Sequence, residues 1–422
     1  MGYMRRTIDT ELDELFPHVA AIAIDGPKGV GKSTTAEQRA REQVRLDTRA
    51  VQQVIAADPE RILDRPRPLL IDEWQRVPAV WDVVRRAVDS NPTGGQFLLA
   101  GSATPRSDAP AHSGAGRIGR LRMRPMTLVE RGSAIPTVSL AGLLQGGSPN
   151  LAGNSSADLA DYVEEVVSSG LPAIRPLTPR ARRFQIESYI RNAVDRDLEE
   201  LGVTVRKPDT LLAWLRSYAA ATATTARYSQ ILDAATPGQD DKPARSTAIA
   251  YRDALASMWL LDPVPAWTPT HSPFTRLGAN PKHHLADPAL AAHLLGLTPE
   301  RLLDGVGRPV AGTGSMLGNL FESLVTLCVR VSAQAAEATV GHLRTKNGDH
   351  EIDLVVVRED DSVVAIEVKL ANTVDDTDTR HLHWLRQHLG SRLLDAIIVN
   401  TGPAAYRRPD GIGVVPLSLL GP

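Results

Sequence analysis

AAIAIDGPKGVGKSTT, residues 20–35, is the most informative stretch of the chain. Its first residues are short and apolar, the pattern of a strand buried on both faces of a parallel sheet. The next eight residues match G-x-x-x-x-G-K-[ST] at every fixed position: Gly26, Pro27, Lys28, Gly29, Val30, Gly31, Lys32 and Ser33. Each residue type has a physical reason. Gly29 and Gly31 let backbone N–H groups close around phosphate oxygens. Lys32 reaches the β- and γ-phosphates as a point charge, and the Ser33 hydroxyl is placed to coordinate Mg²⁺. Thr34 continues the helix that opens near Lys32, whose positive end faces the anion. The spacing therefore predicts strand, phosphate loop and helix, and with them a site for ATP.

A second element supports the first. Pro68–Ile71 is an apolar run ending in Asp72 and Glu73. A buried strand that ends in two adjacent carboxylates suits ATP hydrolysis: Asp72 holds Mg²⁺ through water and Glu73 polarises the attacking water. Transfer to a small molecule has less need of the second carboxylate, which makes a P-loop kinase the weaker alternative. A third strand, Gln96–Gly101, ends at Ser102, where a hydroxyl can sense the γ-phosphate. Arg117 and Arg120 follow in a glycine-broken stretch, and either can act as an arginine finger, within the chain or from a neighbouring copy in a homo-oligomer. Apolar runs alternating with helical patterns over residues 18–135 imply a mainly parallel α/β sheet. Within it, Val80, Val83, Val84, Ala87 and Val88 recur at helical spacing over Ala79–Ser90. Residues 1–16 read as an amphipathic helix with Leu12, Leu15 and Phe16 on one side.

The chain has 422 residues, enough for two to three domains at about 150 residues each. With 47 Lys+Arg against 49 Asp+Glu, net charge is −2, so nothing in the overall balance drives it toward nucleic acid or an anionic membrane. The single cysteine, Cys328, excludes an internal disulfide and a cysteine-based zinc site. The N-terminal stretch has no apolar signal core and no apolar run approaches the ~20 residues of a bilayer span. A cytoplasmic location without membrane contact is expected. The boundaries read as 1–135, a Gly/Ser/Asn-rich linker at 136–158, a helical region at 159–305 and an α/β domain at 306–422.

GPKGVGKS, LLIDEWQRVP (69–78) and FLLAGSATP…GAGRIGRLRMRPM (97–126) resemble prokaryotic AAA-type P-loop ATPases that carry a C-terminal domain of unknown function. The resemblance covers most of the chain. In that group Gln and Pro closely follow the Asp-Glu pair, as Gln75 and Pro78 do here; Trp74 replaces an expected aliphatic residue. Pro281–Asp287 (PKHHLAD) matches another recurring segment of the group, to which the sequence assigns no chemistry.

The C-terminal region carries a second constellation. Glu351–Val357 and Val363–Lys369 read as a hairpin closed by Arg358–Ser362. Pairing Val357 with Val363 places Asp353 opposite Glu367, with Lys369 on the same face. Facing carboxylates repel, and a divalent cation, Mg²⁺ or Mn²⁺, would relieve them. Asp…Glu-x-Lys on a hairpin resembles the restriction-endonuclease-like, PD-(D/E)xK, nucleases, and Leu317–Ser332 is similar to the first helix of that fold. The resemblance implies Glu322, Asp353 and Glu367 as metal ligands and Lys369 as the residue that assists phosphodiester hydrolysis. A charged hairpin edge without chemistry is the alternative.

In the middle region, Tyr228–Ala235 and Ala244–Met258 can pair as a winged helix-turn-helix, bringing Arg245 and Arg252 toward DNA; the resembled group has a winged-helix-like segment there. Plain packing helices fit the same pattern. Two functions stay open: a Mg-dependent ATPase coupled to a nucleic-acid-directed, nuclease-like domain, or an ATP-dependent switch whose C-terminal domain is a silent binding module for protein or DNA.

Overall fold

The computed structural model describes residues 2–102, 116–200, 207–235, 245–269, 280–303, 316–345 and 348–422. The Thr236–Lys242 break, most of the Thr268–Lys282 loop, the side chain of Arg245 and the expected 305/306 boundary lie outside them.

Five parallel strands form the N-terminal sheet in the order β2-β3-β4-β1-β5: β1 Ala21–Asp25, β2 Glu42–Arg45, β3 Leu69–Asp72, β4 Phe97–Gly101 and β5 Ile118–Arg122. Strand alternation divides its two faces. Ile22, Ile24, Leu70 and Leu98 enter one core, and Ala21, Ala23, Leu69, Ile71, Phe97 and Leu99 enter another. The helix Ala79–Ser90 covers the second face through Val80, Val83, Val84 and Val88, the positions its spacing predicts. At the N-terminus the helix is Thr7–Leu15, with Ile8, Leu12 and Phe16 buried and Leu15 38% exposed. The i, i+4 stripe turns Leu15 away from the core, contrary to the sequence reading.

Residues 136–158 are not a linker. Val138–Ser139 (β6) pairs with Leu420–Gly421 (β14), and Gly153–Asn154 (β7) pairs with Ala404–Ala405. Between them Leu140, Leu143 and Leu144 are buried. Leucines at helical spacing outweigh the Gly and Ser content that suggested flexibility. The C-terminal sheet has the order β7-β12-β13-β11-β10-β9-β8. Its remaining strands are β8 Thr339–Arg344, β9 Glu351–Val357, β10 Val363–Val368, β11 Leu393–Asn400, β12 Ala404–Arg407 and β13 Gly413–Pro416. Pairing is antiparallel across β8-β9-β10 and parallel from β10 through β11 to β13. The helix Met316–Ala335 crosses behind it. Among the described residues it alone is long and apolar enough to cross a membrane, and 78% of its most apolar window is buried inside the protein, as in a core helix.

The helices Tyr228–Ala235 and Arg245–Ser257 form as expected. Arg252 bonds Asp253 at 2.7 Å and lies over the Tyr228 ring at 5.1 Å. The chain then pairs Leu261 with Leu285 and Val264 with Lys282 in antiparallel bridges.

Buried side chains from Ile8 to Leu420 make one continuous core, so the three sequence regions share an interior. A buried ionic knot ties them further. Asp262 of the middle region, 6% exposed, pairs with Arg122 (3.1 Å) at the end of β5 and Arg124 (2.9 Å) beyond it, and with Arg330 (2.8 Å) of the Met316–Ala335 helix. Burial opposes the Asp262 charge, but the three guanidiniums hold its carboxyl far below the usual range.

Candidate functional site

The phosphate loop leaves the carboxyl end of β1, where the strand order reverses between β4 and β5 and where α/β sheets bind ligands. Gly26 has to be glycine: a Cβ there would lie 2.2 Å from the Met123 carbonyl oxygen. Gly29 and Gly31 have φ of 73° and 108°, backbone that L side chains rarely adopt. The helix Lys32–Glu37 begins immediately after them, with Thr34 in its first turn. Lys32 folds back over the loop and donates to the carbonyl oxygens of Gly26 (2.7 Å) and Pro27 (2.8 Å). Burial pushes its ammonium down to about 8, against the pull of Glu73, Asp72 and Asp25.

The Ser33 hydroxyl donates to Asp72 Oδ1 at 2.6 Å. These two oxygen donors, 39 residues apart in sequence, are the pair that would hold Mg²⁺ beside a bound nucleotide. A hydroxyl and a buried carboxylate, with phosphate oxygens completing the shell, fit that ion; the metal would supply charge neutralisation at the β- and γ-phosphates.

Glu73 follows at φ 55°, uncommon for a residue with a side chain. Gln75 Nε2 donates to Glu73 Oε2 at 2.6 Å and to the Ser102 hydroxyl at 3.3 Å, and that hydroxyl lies 3.5 Å from Glu73 Oε2. Glu73, Gln75 and Ser102 therefore form one cluster at the carboxyl ends of β3 and β4. Gln75, a spacing marker in the sequence, is the residue that joins the other two. Trp74 is buried, 4.6 Å from Trp81 between ring centroids, and packs against Gly101, where a Cβ would approach its Nε1 to 2.6 Å.

The two arginines separate. Arg120 Nε donates to Asp25 Oδ2 at 2.7 Å, at the base of the loop, and its side chain stays 42% exposed. Arg117 lies at the opposite end of the sheet. Ile118 pairs with Ala21 at the start of β1, whereas Asp25 pairs with Arg122. Arg117 bonds Asp89 at the end of the Ala79–Ser90 helix, 2.5 Å away. About four residues of strand, ~13 Å, divide it from its own phosphate loop, which removes it as a finger within its own chain.

Three residues outside every motif grip the loop. Arg6 donates to the Val30 carbonyl (3.1 Å) and the Arg124 carbonyl (2.7 Å) while paired with Glu130 (3.2 Å). Tyr189 donates to the Lys28 carbonyl at 3.2 Å, and Asp197 accepts from Lys28 Nζ at 2.5 Å. Tyr189 and Asp197 come from the helix Pro179–Asn192 and the wider turn Ala193–Asp197 of the middle region. No short-range pattern marks them, because their partners are up to 169 residues away.

In the C-terminal domain Val357 pairs with Val363, and the ladder runs to Leu354 and Ile366 as the loop length predicts. One step further the Asp353 side chain takes over: its Oδ2 accepts from the Val368 N–H at 2.9 Å. Glu367 is 5% exposed beside Asp353, and its Oε1 has no hydrogen-bond partner. Burial, then the Asp353 charge, pushes its carboxyl well above the usual range. Lys369 Nζ is 3.6 Å from Asp378 Oδ1. Glu322 and Asp353 do converge, but on Lys282. Its Nζ is 2.8 Å from Glu322 Oε1, 2.9 Å from Asp353 Oδ1 and 3.5 Å from Glu351 Oε1. Among the described residues no three or more His, Cys, Asp or Glu side chains stand together as a ready set of metal ligands with Lys282 in place. The expected metal set of Glu322, Asp353 and Glu367 is corrected accordingly: an ammonium sits among the carboxylates, and the arrangement does not fit a divalent ion. Lys282 and Glu351 were missed by sequence reasoning; the only signal was an unexplained polar run at Pro281–Asp287.

Comparison with known proteins agrees with the nucleotide site. Residues 18–131 match the family model described as AAA domain. The N-terminal part of this chain is thus similar to an AAA domain, in keeping with its phosphate loop. Residues 159–301 and 317–420 match two domains of unknown function, DUF8612 and DUF4143. Two relatives are the uncharacterized protein Rv2008c of Mycobacterium tuberculosis and the uncharacterized protein Mb2031c of Mycobacterium bovis. Each is 25% identical over 361 residues, spanning 83% of this chain and 71% of the relative. The domain order is thus AAA-like, DUF8612, DUF4143.

Proposed function

We propose that the protein is a cytoplasmic, Mg-dependent ATPase whose nucleotide state is passed to its helical and C-terminal parts. The observation that supports this reading is the Ser33–Asp72 hydrogen bond at 2.6 Å next to the Glu73–Gln75–Ser102 cluster, groups of the kind that hold Mg²⁺ and activate water beside a triphosphate. Lys32 and the loop amides bind the β- and γ-phosphates. Glu73 takes the proton of the attacking water, Gln75 holds the Glu73 carboxylate in place, and Ser102 borders the γ-phosphate. Arg120, released from Asp25 at the base of the loop, is the arginine assigned to the developing charge. Lys28 and its contacts with Tyr189 and Asp197 are the route by which an occupied loop reaches the middle region. Purified protein should release phosphate from ATP in Mg²⁺, and Lys32→Ala should abolish it; a wild type that binds no ATP ends this reading.

For the C-terminal domain, the Lys282 ammonium set among Glu322, Asp353 and Glu351 favours the silent binding module over the nuclease. DNA retention should weaken steeply with salt if that module contacts several phosphates, and a flat response favours a protein partner.

A further inference from the structure

We infer that the cation of the C-terminal carboxylate pocket is the chain's own Lys282 ammonium, which occupies the place of a divalent metal and excludes one. This deepens the silent reading of that domain and does not depend on ATP hydrolysis. Lys282 is 1% exposed. A lone buried ammonium is costly, and so are facing buried carboxylates; together they compensate each other. Three carboxylates surround the one Nζ at 2.8, 2.9 and 3.5 Å. They draw the lysine well above its ordinary range although burial opposes its charge. A divalent ion needs the same oxygens at ~2.0–2.6 Å, and it cannot approach them while a positive nitrogen bonds two of them.

The lysine is held there by its backbone. Val264 and Lys282 exchange both N–H···O bonds at 2.9 Å, and the Asp262 N–H donates to the His284 carbonyl at 2.9 Å. On the other side the His283 N–H donates to the Thr224 carbonyl at 2.9 Å, and the Ala223 N–H to the His283 carbonyl at 2.8 Å. The middle region thus delivers a positively charged side chain into the C-terminal domain from a segment bonded on both edges. Glu367, whose carboxyl is pushed well above its usual range by burial and then by the Asp353 charge, lies buried beside this group with no hydrogen-bond partner at Oε1.

The test is Mn²⁺ binding to the nucleotide-free full chain, read by electron paramagnetic resonance in a Ser33→Ala background that weakens the phosphate-loop site. Asp353→Asn should leave wild-type Mn²⁺ binding unchanged. Lys282→Ala should gain one site, tighter by about tenfold or more than any in the parent, and adding Asp353→Asn should remove it. The melting temperature of Lys282→Ala should rise with Mn²⁺ while that of the parent does not. Mn²⁺ bound by the parent at a site lost in Asp353→Asn overturns the inference, as does a Lys282→Ala protein that folds and gains no site. Should Lys282→Ala fail to fold, amine acylation of the wild type followed by mass spectrometry decides. Lys282 should react far more slowly than Lys369, with or without Mn²⁺; equal reactivity, or acceleration by Mn²⁺, overturns it.

Discussion

Raising the pH from about 7 to about 9 should weaken ATP binding roughly tenfold, through Lys32 alone. Lys32 is 6% exposed, and burial lowers its ammonium to about 8 in the empty site even with Glu73, Asp72 and Asp25 nearby. A phosphate beside Nζ favours the charged form, so the lysine is protonated in the complex. Binding therefore takes up a proton wherever the empty site has lost one, and affinity falls as pH climbs through about 8. At that pKa the empty site is ~90% charged at pH 7 and ~10% charged at pH 9, a ratio near tenfold or ~1.4 kcal/mol. A lysine with an ordinary pKa near 10.4 would shift affinity by only a few per cent over the same window. Calorimetric titration with MgATP at fixed ionic strength measures the two constants, and repetition in buffers of different ionisation enthalpy counts the proton taken up. A dissociation constant that moves less than about twofold would show that Lys32 is not desolvated as the structure has it.

Glu73→Gln should keep ATP binding and slow phosphate release by about 10²–10⁴, the usual contribution of a positioned proton acceptor; undiminished turnover assigns that step to another group. Asp262→Asn leaves Arg122, Arg124 and Arg330 without their shared buried charge and should cost ~3–5 kcal/mol, read from urea unfolding. A loss below ~1 kcal/mol would mean the knot is solvated.

Much of the architecture was legible in the chain because it rests on short-range rules. The phosphate loop has fixed spacing, the Ala79–Ser90 helix has its 3.6-residue stripe, and the Val357–Val363 register follows from one loop length. The misreadings share a cause. Gly and Ser in 136–158 looked like a linker because composition says nothing of the strands β12 and β14 that the segment meets far along the chain. Arg117 and Arg120 looked equivalent because only the pairing of β5 with β1 tells which end of the sheet each occupies.

By itself the sequence determined an ATP site: its loop, its two carboxylates and the strands that carry them are local patterns whose chemistry admits little else. Tertiary structure decided where the buried charges meet. Lys282 comes from 40 residues before Glu322 and 71 before Asp353. Hydrophobic periodicity records that a position is buried; it does not record which opposite charge waits there. Coulomb attraction across about 3 Å selects that partner only after the chain has folded, and here it set an ammonium where the sequence pattern alone suggested a metal.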